Sequence, residues 1–95
     1  MPKSAPSQKT SISPRLGRRS VSAIAWEIYR CWSTVSVAAL PYLEAMTELN
    51  SVAEHYGADP GGTIVLYFLS NAGGWRGEDA RRIKAELKQL LKDNQ

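Results

Sequence analysis

His55 and Cys31 are the only histidine and the only cysteine in the chain. Nucleophilic catalysis of the Ser–His–Asp or Cys–His kind needs an imidazole beside the nucleophile. His55 falls near the end of a predicted helix, on its polar side, where the helix dipole favours a cation; it reads as a solvated residue. Cys31 falls inside another predicted helix and reads as a small buried hydrophobe. One cysteine makes no internal disulfide, and one His with one Cys makes no zinc site without carboxylates in unusual geometry. Glu44 and Glu48 stand one helical turn apart and could hold a cation, yet their simplest reading is an exposed acidic face. Gly61-Gly62 and Gly73-Gly74 lack the Lys-Ser/Thr of a phosphate loop and read as turn or cap glycines. No catalytic constellation, cofactor site or metal site emerges, and the sequence predicts a protein that is not an enzyme.

Chemistry of recognition is better represented. Trp26 and Arg30 lie four apart, off the apolar face of the first predicted helix, with Tyr29 beside them; exposed Trp and Arg are favoured at binding hot spots. The alternative is a first helix buried on two sides. Residues 71–82 form a second candidate, a helix, a Gly-containing turn and a basic helix that together suggest a helix-turn-helix. Arg76, Arg81 and Arg82 would then meet phosphates or base edges. Against this, Glu78 and Asp79 open the helix and would repel phosphate, and Trp75 reads more simply as a residue packing across the helix junction. Arg81, Lys84, Lys88 and Lys92 align as a basic stripe. If the second and fourth helices are neighbours, the stripe partly pairs with Glu44, Glu48, Glu54 and Asp59, at ~0–1 kcal/mol per surface pair.

Charge divides by region. Residues 1–26 carry Lys3, Lys9, Arg15, Arg18 and Arg19 and no acid, +5 against −2 for the remainder, which together give the net +3. Such a tail suits nucleic acid, an anionic membrane surface or an acidic protein patch without choosing among them. Its Ser- and Arg-rich, acid-free composition also matches a transit peptide, but the Pro-rich start opposes an amphipathic helix there. No apolar run approaches the ~18 residues of a membrane span, and no apolar h-region marks a secretory signal.

The elements that must position these residues follow from period and punctuation. The chain of 95 residues has room for one modest core. Residues 1–19, with Pro2, Pro6 and Pro14, are expected to be a disordered basic tail; residues 20–95 are expected to form a helical domain. Ser20 is a good N-cap, and Val21, Ile24, Ala25, Ile28, Trp32 and Val35 follow on one face. The helix should weaken across the β-branched and hydroxyl residues 33–37. Pro41 suits the first turn of a second helix, in which Tyr42, Ala45, Met46, Leu49, Val52, Ala53 and Tyr56 recur at helical spacing up to a Gly57 C-cap. Asp59-Pro60 repeats the start signal. The run 63–69 is apolar nearly all round, so a third helix there should sit in the centre, covered by the others. A fourth, from about Gly77 to Lys92, carries Ala80, Ile83, Leu87, Leu90 and Leu91 on its core face. The expected fold is therefore all-α, a compact four-helix domain with a central apolar third helix behind a basic tail.

Between about residues 23 and 91 the chain resembles small proteins, with no assigned activity, encoded by bacteriophages of actinobacteria. The resemblance rests on Ala23-Ile24-Ala25-x-Glu27-Ile28, Pro41-Tyr42-Leu43-Glu44-Ala45-Met46, Tyr67-Phe68-Leu69-Ser70-Asn71-Ala72 and Trp75-Arg76-Gly77-Glu78-x-Ala80-Arg81-Arg82-Ile83-Lys84. It supplies no catalytic residue and no cofactor. It implies a phage context in a bacterial cytoplasm, where small proteins of this kind often act by binding a host or phage macromolecule. The expectation is an accessory or regulatory protein that binds another protein through Trp26, Arg30, Arg76, Arg81 and Lys84. The alternative is a nucleic-acid-binding module using Arg18, Arg19, Arg76, Arg81, Arg82 and Lys88. Homodimerisation is a third course, since a partner can complete a small core.

Overall fold

The computed structural model describes residues 19–94. The expected tail, with its candidate Arg18, lies outside these residues except for Arg19. Four helices account for most of the described chain: α1 (Val21–Cys31), α2 (Leu40–Met46), α3 (Gly61–Ser70) and α4 (Glu78–Asp93). A small antiparallel pair, β1 (His55–Tyr56) and β2 (Asp59–Pro60), stands between α2 and α3, in the register His55 opposite Pro60 and Tyr56 opposite Asp59. The fold is thus mostly helical, not all-α.

α1 follows its sequence signals. The Ala23 N–H donates to Ser20 Oγ at 3.1 Å, the hydrogen bond of an N-cap. Val21, Ile24, Ala25 and Ile28 are buried. The helix stops at Cys31, ahead of residues 33–35, whose branched and hydroxyl side chains lose freedom in a helix or compete for its backbone. Cys31 itself is only partly buried.

α2 is the main correction. It ends at Met46 and does not run to Tyr56. Short polar side chains take over the backbone there. Thr47 Oγ1 donates to the Glu44 carbonyl at 2.6 Å, the Asn50 N–H donates to the Glu54 carboxylate at 2.9 Å, and the Ala53 N–H donates to Ser51 Oγ at 3.2 Å. Such local bonds compete with helix. Leu49 and Val52 still reach the core, but from a loop. Gly57 has φ +63°, as a turn residue between the two strands and not as a helix cap. His55 is accordingly an exposed strand residue.

That loop closes over the start of α3. The Gly61 N–H donates to the Glu54 carbonyl at 2.5 Å, and the Gly62 N–H to the Val52 carbonyl at 3.0 Å. A Cβ on Gly61 would stand 2.8 Å from the Glu54 carbonyl oxygen and 3.1 Å from that of Ser51. Gly61 and Gly62 are therefore helical residues in close packing, and the N-cap is Pro60, one residue later than Asp59.

The helices form a ring in which α1 meets α2, α2 meets α3, α3 meets α4, and α4 returns to α1. Ile64, Val65 and Phe68 of α3 face inward, together with Leu43, Met46, Ile83 and Leu87. Coverage of α3 on every side is not what the fold provides: Leu66 is 53% exposed and Tyr67 51%. α4 matches expectation within a residue at each end, with Gly77 (φ +110°) before it and Ala80, Ile83 and Leu87 buried.

Candidate functional site

The charged side chains of α1 and α4 meet along one seam. Glu27, on α1, lies between two guanidinium groups: Arg82 Nη2 is 2.8 Å from its Oε2, and Arg19 Nη1 is 2.6 Å from its Oε1. The second contact is an ion pair without the alignment of a hydrogen bond. Arg19 also binds Glu86 of α4 through both Nε (3.0 Å) and Nη2 (2.7 Å), the bidentate geometry that makes Arg–carboxylate pairs strong. Arg82 further reaches Asp79 at 3.2 Å. Hydrogen bonding from Arg82, then from Arg19, holds the Glu27 carboxyl below its usual pKa. The same contacts raise both arginines, Glu86 acting first on Arg19 and Glu27 first on Arg82. The pairing expected between the second and fourth helices is found instead between the first and fourth. Arg19 and Arg82, two of the candidate nucleic-acid contacts, are occupied by carboxylates.

Trp75 closes the α3–α4 junction, as the sequence suggests. It is 5% exposed and stacks on Trp32, with ring centroids 5.3 Å apart and planes 7° from parallel. Trp32 in turn meets Phe68 edge-on at 6.3 Å. Lys84 belongs to this joint. Its Nζ donates to the carbonyls of Ala72 and Trp75, both at 2.7 Å, and lies 5.9 Å from the Trp75 ring centroid. Burial, then the charges of Lys88 and Arg76, lowers its pKa. A lysine spent on two carbonyls is first a fastener of the turn and only then a binding group. With Arg76 and Arg81, both exposed, it lines a hollow of ≈310 Å³ at the start of α4. Lys88, one turn further along, is also exposed.

Trp26 and Arg30 stand apart from that trio, on the outer side of α1. Trp26 is 54% exposed and its ring lies 5.4 Å from that of Tyr29. Tyr29 is half-buried, and burial, then the charge of Glu44, raises its phenol pKa. Glu44 and Glu48 are exposed, with Glu44 in α2 and Glu48 beyond its end. The Cys31 thiol is pushed up by burial first and by Asp79 next, the opposite of an activated nucleophile. Among the described residues no group of His, Cys, Asp and Glu is placed to hold a metal, and no helix is long and apolar enough to cross a membrane.

A second hollow, of ≈340 Å³, is lined by Arg19, Ser20, Asn50, Ser51, Val52, Leu90, Asp93 and Asn94. Sequence reasoning missed it, because its residues come from three distant stretches and none carries a motif. It also missed the pairing of Tyr42 with Tyr67, rings 5.5 Å apart on the seam of α2 and α3. The apolar run of α3 was a signal for that surface, but it reads as core until the helix is seen to be covered on one face. No family model, no curated protein and no solved structure matches the chain.

Proposed function

We propose that this is a small non-enzymatic accessory or regulatory protein, of bacteriophage type and acting in a bacterial cytoplasm, that works by binding another protein. The observation that carries the reading is Trp26: a large indole left half exposed on a helix whose opposite face is fully buried, braced by Tyr29 and one turn from Arg30. Rigid aromatic–Arg clusters are the side chains that dominate protein interfaces when they are desolvated by a partner. The partner is a host or phage protein. α3 is the central apolar element of this scaffold, with Ile64, Val65 and Phe68 as the inward anchors of the other helices.

The test is a pull-down from bacterial lysate, nuclease-treated, with wild type and Trp26→Ala in parallel. A protein captured by the wild type, retained at high salt and lost from Trp26→Ala supports the reading. Capture indifferent to Trp26 overturns it.

A second reading is favoured by the convergence of Arg76, Arg81 and Lys84 on one hollow, with Lys88 beyond. These cations could track a nucleic-acid backbone. Binding of that kind falls steeply with salt, in step with the phosphates neutralised, and it would survive Trp26→Ala but not Arg76→Ala with Arg81→Ala.

A further inference from the structure

Two stretches of this chain, residues 31–43 and 60–75, contain no Asp, Glu, Lys, Arg or His. The fold places them side by side. Ser36 Oγ donates to the Asn71 carbonyl at 3.3 Å, and Tyr42 meets Tyr67 at 5.5 Å, so the start of α2 lies along the end of α3. The surface they share is apolar and open: Val37 is 87% exposed, and Leu66, Tyr67, Ala38 and Pro41 are exposed with it. Depletion of charge around aromatic and aliphatic side chains is the compositional mark of an interface core.

We infer that the seam of α2 and α3 is a self-association surface, and that its occupant is a second copy of this chain. In a two-fold dimer each residue near the axis meets its own copy or a close neighbour. A surface bearing charges of one sign then opposes like with like. The α4 face, with Arg81, Lys88 and Lys92 exposed, would do so. The α1–α4 seam has its charges already committed to one another. The α2–α3 seam has none to oppose, so of these surfaces it alone meets itself without an electrostatic penalty. The seven successive residues 63–69 include no charge and only Thr63 as a polar side chain. Half of that helix is covered by the fold, and the second copy covers the rest. For a domain this small, a partner that removes Leu66 and Tyr67 from water adds stability the monomer lacks.

The experiment is sedimentation equilibrium of the full chain from low-micromolar to near-millimolar concentration, in reductant so that Cys31 forms no cross-link. Wild type should rise from the single-chain 10.5 kDa toward twice that mass, with a melting temperature that climbs with concentration. Tyr67→Lys and, separately, Val37→Lys should hold the mass at one chain while the helical circular dichroism is unchanged; Val37 is exposed enough that its variant leaves the core alone. Trp26→Ala should dimerise like wild type, which separates this surface from the proposed partner site on α1. A wild type that stays monomeric throughout overturns the inference and leaves the face to a different apolar partner. So does a dimer that persists in both folded lysine variants.

Discussion

The two diagonal seams of the ring are built from different chemistry. Where α4 meets α1, Arg19, Glu27, Asp79, Arg82 and Glu86 interlock above a line of buried aliphatics. Where α2 meets α3, the contact is made by Leu43, Met46, Val65 and Phe68 inside and by Tyr42 and Tyr67 outside, with no ion at all. The first seam is specific: a carboxylate between two guanidiniums accepts one register of α1 against α4. The second is adhesive and fixes register only through shape. One seam therefore has its polar groups used up within the chain, while the other keeps an apolar surface available to something outside it.

Substitutions can separate these two kinds of cohesion, and the largest effect belongs to the uncharged seam. Phe68→Ala removes a fully buried ring that touches Trp32, and should cost about 3–5 kcal/mol. Urea denaturation should show that loss undiminished by salt. On the charged seam Glu27→Gln should cost about 1–2 kcal/mol, reduced from a fully buried pair by solvent screening, and added salt should shrink the difference.

The pH dependence carries a definite sign. Glu27 has a folded pKa below its unfolded value, so its contribution is present above the ordinary carboxyl pKa and is lost as pH falls through the depressed folded one. Wild type and Glu27→Gln should converge in acid; a gap that persists there would mean that packing, not charge, accounts for the residue. Smaller again, Ser20→Ala removes the α1 cap at about 1 kcal/mol, to be read as a lower melting temperature with fraying of the first turn by amide exchange. Smallest is Lys88→Ala, expected to leave the melting temperature unchanged, in contrast to Lys84→Ala, which frees the carbonyls of Ala72 and Trp75. Equal effects from these two lysines would undo the distinction between a solvated stripe and a fastener.

The sequence was most legible where local signals and burial agree. Ser20 caps α1, Gly77 precedes α4, and the inward residues of both helices sit at the spacing that the pattern dictates. It misled at residues 47–56, where apolar spacing continues a helix that the hydroxyl and carboxylate groups of Thr47, Ser51 and Glu54 interrupt. Periodicity reports which side chains seek the core and is silent on whether a helix or a loop delivers them. The site was legible in part. Trp26 and Trp75 fall in their expected roles, one exposed and one across a junction. That Arg19 and Arg82 share Glu27 depends on residues 55 or more positions apart in sequence for the Arg82 contact, a pairing that no local pattern encodes.

Gly61 bears on how this chain tolerates change. Three carbonyl oxygens, from Ser51, Val52 and Glu54, lie within 3.2 Å of where its Cβ would stand, while no atom approaches the corresponding points on Gly73 and Gly74 within 4 Å. In a saturation library scored for folded protein, position 61 should return glycine almost alone, and positions 73 and 74 a broad alphabet. Three glycines that look alike in the sequence would then have very different freedom to drift, and the hairpin between α2 and α3 would be inherited as a unit with the first residue of the helix it covers.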